Sequence, residues 1–452
     1  MCLHRLSVCL ALAGLCGSLP LKAQTNLETN AGVQFNFSTP GAGNLGLGGA
    51  FLGLAFDASA AYTNPAGLTL VVKPEALLET RHWRYTHVFT DRGRITDAAP
   101  TGEPPDTISG LRDAKAEDQV TGLSFLSYVY PRRNWSFALY RHELVNFEAN
   151  FSTFGAYLER TRGRNPLGIP GTLDGRLAAL RNRMQVDVVA YGGAAAYRLG
   201  GGFSLGVAVS SFDFSIDSTA DRFLPDLFAA PDFNRDLLVN FQTQQGDDRD
   251  LGVNAGFLWE SPEKTWSVGG VYRQGPDFTF RAQSRQGRGA LVPLHEADQP
   301  AFFHVPDVYG LGLGFRPSDA LRLAFDYDRV RYSRLTEGFV DIFDLAVLSP
   351  GQPQELDKFQ IDDANELHLG LEYAFLQHWP VFTLRAGAWY DPDHSLRFEG
   401  KNVGFRAVFR PRGDQMHYTA GVGVALRRLQ VDAAVDHSDR VSVIALSAGF
   451  RI

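Results

Sequence analysis

The sequence has few cysteines, no long apolar run and no block of basic charge. Its three cysteines (Cys2, Cys9, Cys16) all lie in the first sixteen residues. If that stretch is removed as a secretory signal, the remaining chain has no thiol. Disulfides, thiol catalysis and cysteine-ligated metals are then excluded together. After Gln24 no stretch of about 18 apolar residues occurs, so no transmembrane helix is expected. The formal net charge of -7 argues against nucleic acid as a partner.

What is present begins with that signal. His4 and Arg5 give a charged start, Val8 to Leu15 an apolar stretch, and Leu21-Lys22-Ala23 a cleavage site before Gln24. The apolar stretch is too short to span a bilayer. Leu15 stands before Cys16 where a lipoprotein signal needs a small residue. Residues 1–23 are therefore expected to be a signal peptide. Beyond it, Gly (46), Phe (33) and Tyr (15) are abundant, a composition that favours strands and membrane interfaces over helices. Mean hydropathy is only -0.14. A transmembrane barrel has that value too, because each strand shows lipid only one of its faces.

Alternation of apolar and polar residues marks the strands. Leu321, Leu323, Phe325 and Tyr327 oppose Arg322, Asp326 and Asp328. Leu367, Leu369, Leu371, Tyr373 and Phe375 oppose Glu366, His368 and Glu372. Tyr309, Leu311, Leu313 and Phe315 oppose Gly310, Gly312 and Gly314. A soluble sandwich alternates as well, so the connections have to decide. The pattern gives strands at about 75–90, 118–130, 134–149, 184–199, 202–217, 249–260, 264–283, 303–316, 319–333, 362–376, 380–393, 414–427, 428–437 and 440–452. Every second connection is tight, as at Gly200-Gly201 or Pro317-Ser318. The intervening ones are long (91–117, 150–183, 218–248, 284–302, 334–361, 394–413), except near Ser438-Asp439. Short turns on one rim and long loops on the other predict an all-β fold, a transmembrane antiparallel β-barrel of about 14 strands in a bacterial outer membrane. The last strand supports this, with Ile444, Leu446, Ala448, Phe450 and Ile452 on one face. The barrel is expected over residues 75–452.

Residues 24–74 are not needed as a strand. They hold a run of small residues, Pro40-Gly41-Ala42-Gly43-Asn44-Leu45-Gly46-Leu47-Gly48-Gly49-Ala50-Phe51, and then Asp57-Ala58-Ser59-Ala60 and Asn64-Pro65-Ala66-Gly67-Leu68. Gly41, Gly43 and Gly46 match GxGxxG formally, but no βαβ context surrounds them. Small residues let backbone pack closely in a confined space, and Asn64-Pro65 signals a turn. An N-terminal hatch plugging the lumen is the expectation.

This run resembles the FadL/TodX family of outer-membrane transporters for long-chain fatty acids and hydrophobic compounds. That family shows "LGMGGAF" followed by "DDASA…NPAGL", matched here by Leu45 to Phe51, Asp57 to Ala60 and Asn64 to Leu68. Leu47 stands for the usual Met and Phe56 for the first Asp. The resemblance implies a fourteen-stranded barrel and a hatch containing Asn64, Pro65 and Ala66. It also implies passive passage of fatty acids or aromatic hydrocarbons through the wall or past the hatch. Capture helices in the extracellular loops and a monomeric state follow from it as well. No cofactor and no catalytic or metal site is implied. Further partners expected of such a barrel are outer-membrane lipid, lipopolysaccharide and, during biogenesis, the barrel-assembly machinery.

Candidate ligand contacts follow from chemistry. In the segment 218–248, Leu224, Leu227, Phe228, Phe233, Leu237, Leu238 and Phe241 recur at three- and four-residue spacings and suit short amphipathic helices forming a capture groove. A fatty-acid carboxylate needs a buried cation, for which Arg141, Arg322 and Arg385 are candidates. Asp393-His394-Ser395 and Asp436-His437-Ser438 have the composition of a catalytic triad, but a triad is assembled by geometry and not by adjacent positions. Polar loop shoulders are the expected reading for both. The competing functions are a docking or secretion-associated barrel, an outer-membrane hydrolase, and an open porin.

Overall fold

The computed structural model describes residues 33, 35, 37, 39–93, 110–154, 157–159, 163–164, 170–171, 174–176, 179–223, 238–288, 292–337, 358–401, 406 and 409–452. One antiparallel sheet dominates. Its strands are β1 (Glu75–Gly93), β2 (Leu111–Arg132), β3 (Trp135–Thr153), β4 (Ala179–Gly200), β5 (Phe203–Phe223), β6 (Leu238–Glu260), β7 (Trp266–Arg273) and β8 (Asp277–Arg288). It continues with β9 (Val292–His304), β10 (Val308–Phe315), β11 (Leu321–Val330), β12 (Ala364–Phe375), β13 (Val381–Asp391), β14 (Gln415–Ala425), β15 (Leu429–His437) and β16 (Val441–Arg451). The sheet closes where β1 pairs with β16, from Glu75↔Arg451 to Tyr85↔Val441. β7 and β8 are two pieces of one stave, as are β9 and β10, so the sixteen strands make a ring of fourteen positions. Each of the fourteen positions is paired on both sides over at least part of its length, which closes the ring.

Two features depart from the sequence reading. The staves expected at 264–283 and 303–316 are each broken, around Gly275-Pro276 and Val305-Pro306. Proline has no N–H to give a ladder, so the breaks fall where the chain must leave it. The Arg334 guanidinium, on a 3-10 helix (Tyr332–Thr336), holds both breaks by donating to the Gly275 carbonyl at 3.3 Å and the Val305 carbonyl at 3.1 Å. The strands of the first half are also longer than expected. β6 runs for 23 residues where about a dozen were anticipated, so Leu238 and Phe241 lie in a strand and not in the loop.

Among the described residues β9 is paired on one side only, by β8, and a seam opens between β2 and β3. β2 and β3 pair only from Phe125↔His142 to Arg132↔Trp135. Above that, β2 stays with β1 and β3 stays with β4, and β3 carries a bulge at Leu144. The upper half of β3 leans to the lumen side of β1. There the Tyr85 hydroxyl donates to the Asn146 carbonyl (3.0 Å) and the His87 ring meets the Glu148 carbonyl (3.0 Å). Side chains thus satisfy carbonyls that a neighbouring strand would otherwise pair. Asp118 on β2 reaches across the seam to the Asn150 backbone N–H at 2.8 Å.

Candidate functional site

Residues 40–71 lie against the inner face of the wall. The outer face is settled by alternation: Leu311, Leu313, Leu369, Leu371, Ile444 and Leu446 are exposed, while their neighbours point inward. The segment contains two single-turn helices, α1 (Ala42–Leu45) and α2 (Ala60–Thr63), then a 3-10 helix (Pro65–Leu70). Wall glycines are what allow it to dock. A Cβ on Gly312 would lie 2.6 Å from the Gly53 nitrogen, and one on Gly53 would lie 2.7 Å from the Gly314 nitrogen. The Gly310-x-Gly312-x-Gly314 face is bare because hatch backbone abuts it.

Polar wall residues then take up the hatch's backbone groups, as buried donors and acceptors require. The Asp326 carboxylate accepts from the Phe51 and Leu52 N–H groups at 2.6 and 2.7 Å. The Thr419 hydroxyl accepts from Gly48 N–H (3.0 Å) and donates to the Gly46 carbonyl (3.1 Å). Ser447 accepts from Ala42 N–H, and Asn254 donates to the Tyr62 carbonyl. Asn64 is fully buried. Its amide donates to the Leu52 carbonyl within the segment and to the Phe257 carbonyl on β6, both at 3.1 Å, while its oxygen accepts from Ala66 N–H. Asn64-Pro65-Ala66 is thus a buried joint between the 40–71 segment and the wall. Asp57, at the inner mouth, has its carboxyl pushed up to about 7 by burial and then by the neighbouring Glu75 carboxylate, against hydrogen bonds from Ser59.

All three candidate arginines are engaged; Arg322 and Arg385 face inward, whereas Arg141 shares the outward parity of Leu139. Arg385 is buried and donates to Glu372 and to Asp432, both at 2.6 Å. Arg322 holds the other oxygen of Glu372 at 2.8 Å and lies 4.6 Å over the Phe56 ring. Arg141 pairs with Glu143 at 3.2 Å and donates to the Leu123 carbonyl at the foot of the seam. Two of them therefore belong to one chain of charges, Arg322–Glu372–Arg385–Asp432, beside the hatch. Such a network is satisfied internally.

Above the hatch the lumen changes character. On β5 one inward face reads Gly206, Ala208, Ser210, Phe212, Phe214, Ile216: small where the hatch docks and bulky beyond it. Phe214 stacks on Phe278 (4.7 Å) and Phe303 (5.2 Å), and Phe35 from the N-terminal segment stacks on Phe303 and Phe37. A cavity of about 70 Å³ remains here. One side of it is apolar and aromatic: Phe35, Phe37, Trp83, Tyr85, Tyr332, Val441 and Val443. The other is polar: Glu366, His368, Trp389, Asp391, His417 and Asp436. Trp389 lies between two imidazoles, 3.7 Å from His417 and 5.2 Å from His368, and donates to Asp436 at 3.0 Å. Of these residues the sequence pointed only to Asp436, in a triad-like run, and to Glu366 and His368 as the polar face of a strand; none was placed at a cavity. The available signal was the switch from small to bulky residues at constant parity along the long strands.

Other candidates are accounted for more simply. Leu224, Leu227, Phe228, Phe233 and Leu237 lie outside the described residues. Asp393 accepts from the Ser395, Arg412 and Gly413 N–H groups and so organises its loop. Asp436 points inward to His417, whereas His437 points outward to Ser442. His394 turns to the Pro392 carbonyl and Asp391 and not to Asp393, and Asp436 and His437 diverge on their strand, so neither Asp-His-Ser run forms a relay.

The chain matches the family described as outer membrane protein transport protein (OMPP1/FadL/TodX) over residues 172–443, more than half of its length. No curated protein matches it. Among solved structures it is similar to a Pseudomonas aeruginosa FadL homologue, at 16% identity and a TM-score of 0.61, covering 93% of this chain and 99% of that one. It is also similar to the Ralstonia pickettii toluene transporter TbuX, at 15% identity, TM-score 0.55, 92% of this chain and 99% of that one. The P. putida toluene transporter TodX gives 13% identity, TM-score 0.55 and the same coverages. At these identities the likeness concerns the fold alone, whereas the family match concerns the sequence. A closed fourteen-position barrel whose inner face is docked by the Gly-rich segment, taken with that match, makes this chain a member of the FadL/TodX family of outer-membrane transport proteins.

Proposed function

We propose that the protein takes up hydrophobic small molecules passively across the outer membrane, and that the cargo leaves through the seam between β2 and β3. The observation that carries this reading is the position of Tyr85, which lines the aromatic cavity and also bonds the detached half of β3. A molecule in the cavity is thus one side chain away from the place where the wall's ladder stops. Straight descent is closed by residues 40–71. Residues 24–74 act as a hatch, with Asn64, Pro65 and Ala66 positioning it and not touching cargo. At about 70 Å³ the cavity is small beside the roughly 150 Å³ that accepts benzene in an engineered core. Phe35 and Phe37 must withdraw for cargo to enter. That segment is tied through backbone carbonyls, by Arg273 to Phe37 (3.4 Å) and Arg81 to Thr39 (2.9 Å).

The residues 224–241 supply the outer capture groove in this account. The lipid-facing aromatics contact lipopolysaccharide and lipid, and the C-terminal strand serves the assembly machinery. The protein works as a monomer, without catalysis. Aromatic hydrocarbons are favoured over fatty acids because Arg141, Arg322 and Arg385 already have carboxylate partners. The test is uptake of labelled toluene and oleate by cells with and without the protein. Protein-dependent entry of toluene is expected. Equal entry with and without it would point to a docking or secretion-associated barrel instead.

A further inference from the structure

Resting on that reading, we infer that the lumenal cavity is built for small aromatic molecules bearing a hydrogen-bond donor, such as a phenol, and that it rejects aromatic carboxylates. The aromatic part follows from what already fills the space: Phe35 and Phe37 stack there in an almost parallel pair, 5.2 Å apart, and Phe37 meets the Tyr332 ring edge-on. The wall accepts phenyl rings.

The polar side supplies acceptors and no free cation. Among the described lining residues there is no Lys or Arg, whereas Glu366, Asp391 and Asp436 all face the cavity. The nearby arginines are spoken for, Arg273 by Asp328 and Arg331 and Arg334 by Asp307. His368 has its tautomer fixed by the hatch. The Gly48 carbonyl, 2.7 Å from Nδ1, can only accept, so Nδ1 carries a proton, and in the neutral ring Nε2 offers a lone pair. That Nε2 and the Asp391 Oδ1 are both buried without a hydrogen-bond partner. Their nearest opposite groups, Glu366 at 3.5 Å and the His394 Nδ1 at 3.2 Å, are ion-pair contacts that are not aligned as hydrogen bonds. Should His368 and His417 take a second proton, each would face a carboxylate already in place, Glu366 and Asp436. In either state an incoming carboxylate finds acceptors, and a phenolic O–H finds partners for a bond the site lacks. Buried polar groups left unpaired are what make such a site discriminate.

Three probes of one shape separate the possibilities: toluene, p-cresol and p-toluate differ only in the group opposite the methyl. Binding to the purified protein is read by fluorescence of Trp83 and Trp389 and by calorimetry. The expected order is p-cresol about tenfold tighter than toluene, as one added hydrogen bond provides, with p-toluate at least tenfold weaker than toluene. Asp391→Asn and, separately, Glu366→Gln should narrow the gap between p-cresol and p-toluate while leaving toluene nearly unchanged. Equal binding of all three, or p-toluate binding best, overturns the inference but leaves hydrocarbon uptake standing. Binding of none, with no toluene uptake by cells, overturns both.

Discussion

Replacing Asp326 by Ala tests how the hatch is held. Its carboxylate oxygen accepts from two consecutive buried N–H groups, Phe51 at 2.6 Å and Leu52 at 2.7 Å. Truncation leaves both donors without a partner. Each buried donor stranded in this way costs about 1–3 kcal/mol, so the pair costs about 4 kcal/mol. At about 1.4 kcal/mol per factor of ten, local opening of the 51–52 turn becomes about a thousandfold more frequent. The hatch has other anchors at Thr419, Ser447 and Asn254, so the loss is local and the barrel itself is untouched. Hydrogen exchange read at single-amide resolution reports such openings. The amides of Phe51 and Leu52 should exchange far faster, while Gly48, held by Thr419, changes much less. Exchange at 51 and 52 within about threefold of wild type would refute the argument, because those bonds would then not be what holds the turn.

Two further outcomes follow from the charges around the hatch. Asp57 has its docked value raised to about 7 against an ordinary 3.8. Docking is therefore favoured most below the ordinary value and loses that contribution as pH climbs to about 7. Single-channel leak in planar bilayers should be greater at pH 8 than at pH 5, and Asp57→Asn should remove the difference. Arg385→Leu strands Glu372 on one of its oxygens and Asp432 at a buried site. Breaking a buried pair this way costs about 3–5 kcal/mol, measurable as a lower urea midpoint, and a midpoint equal to wild type would show the network to be dispensable.

The barrel was legible because lipid imposes a rule on every second residue: Leu311 and Leu313 outside, Gly310 and Gly312 inside. That rule lapses above the membrane. Residues 243–250 contain no large apolar side chain, so the alternation vanishes there and the sequence reads as loop although the ladder continues. The two broken staves were hidden for a different reason, since Gly275-Pro276 and Val305-Pro306 interrupt strands without changing their parity enough to be noticed. The close docking of residues 40–71 on the wall was legible from their small residues. Their partners were not, because Asp326, Thr419 and Ser447 are ordinary lumen-face polar residues until the backbone they satisfy is known. The aromatic cavity is assembled from six separate strands, a 3-10 helix and the N-terminal segment, and no local run announces it.

The seam is the centre of the account, and closing it is the most direct test. Because every native cysteine lies within the first sixteen residues, all inside the expected signal, Cys introduced at Asp118 and Asn150 should be the only thiols of the mature chain. These side chains already touch across the gap, 3.2 Å from Oδ1 to Nδ2. A short thiol-to-thiol linker placed between them in the outer membrane ties β2 to β3 without filling the lumen. Uptake of labelled toluene should fall to the level of cells lacking the protein when the linker is in place, and a reducible linker should restore it on cleavage. Undiminished uptake with the seam fully crosslinked would contradict lateral exit and send the cargo past the hatch instead.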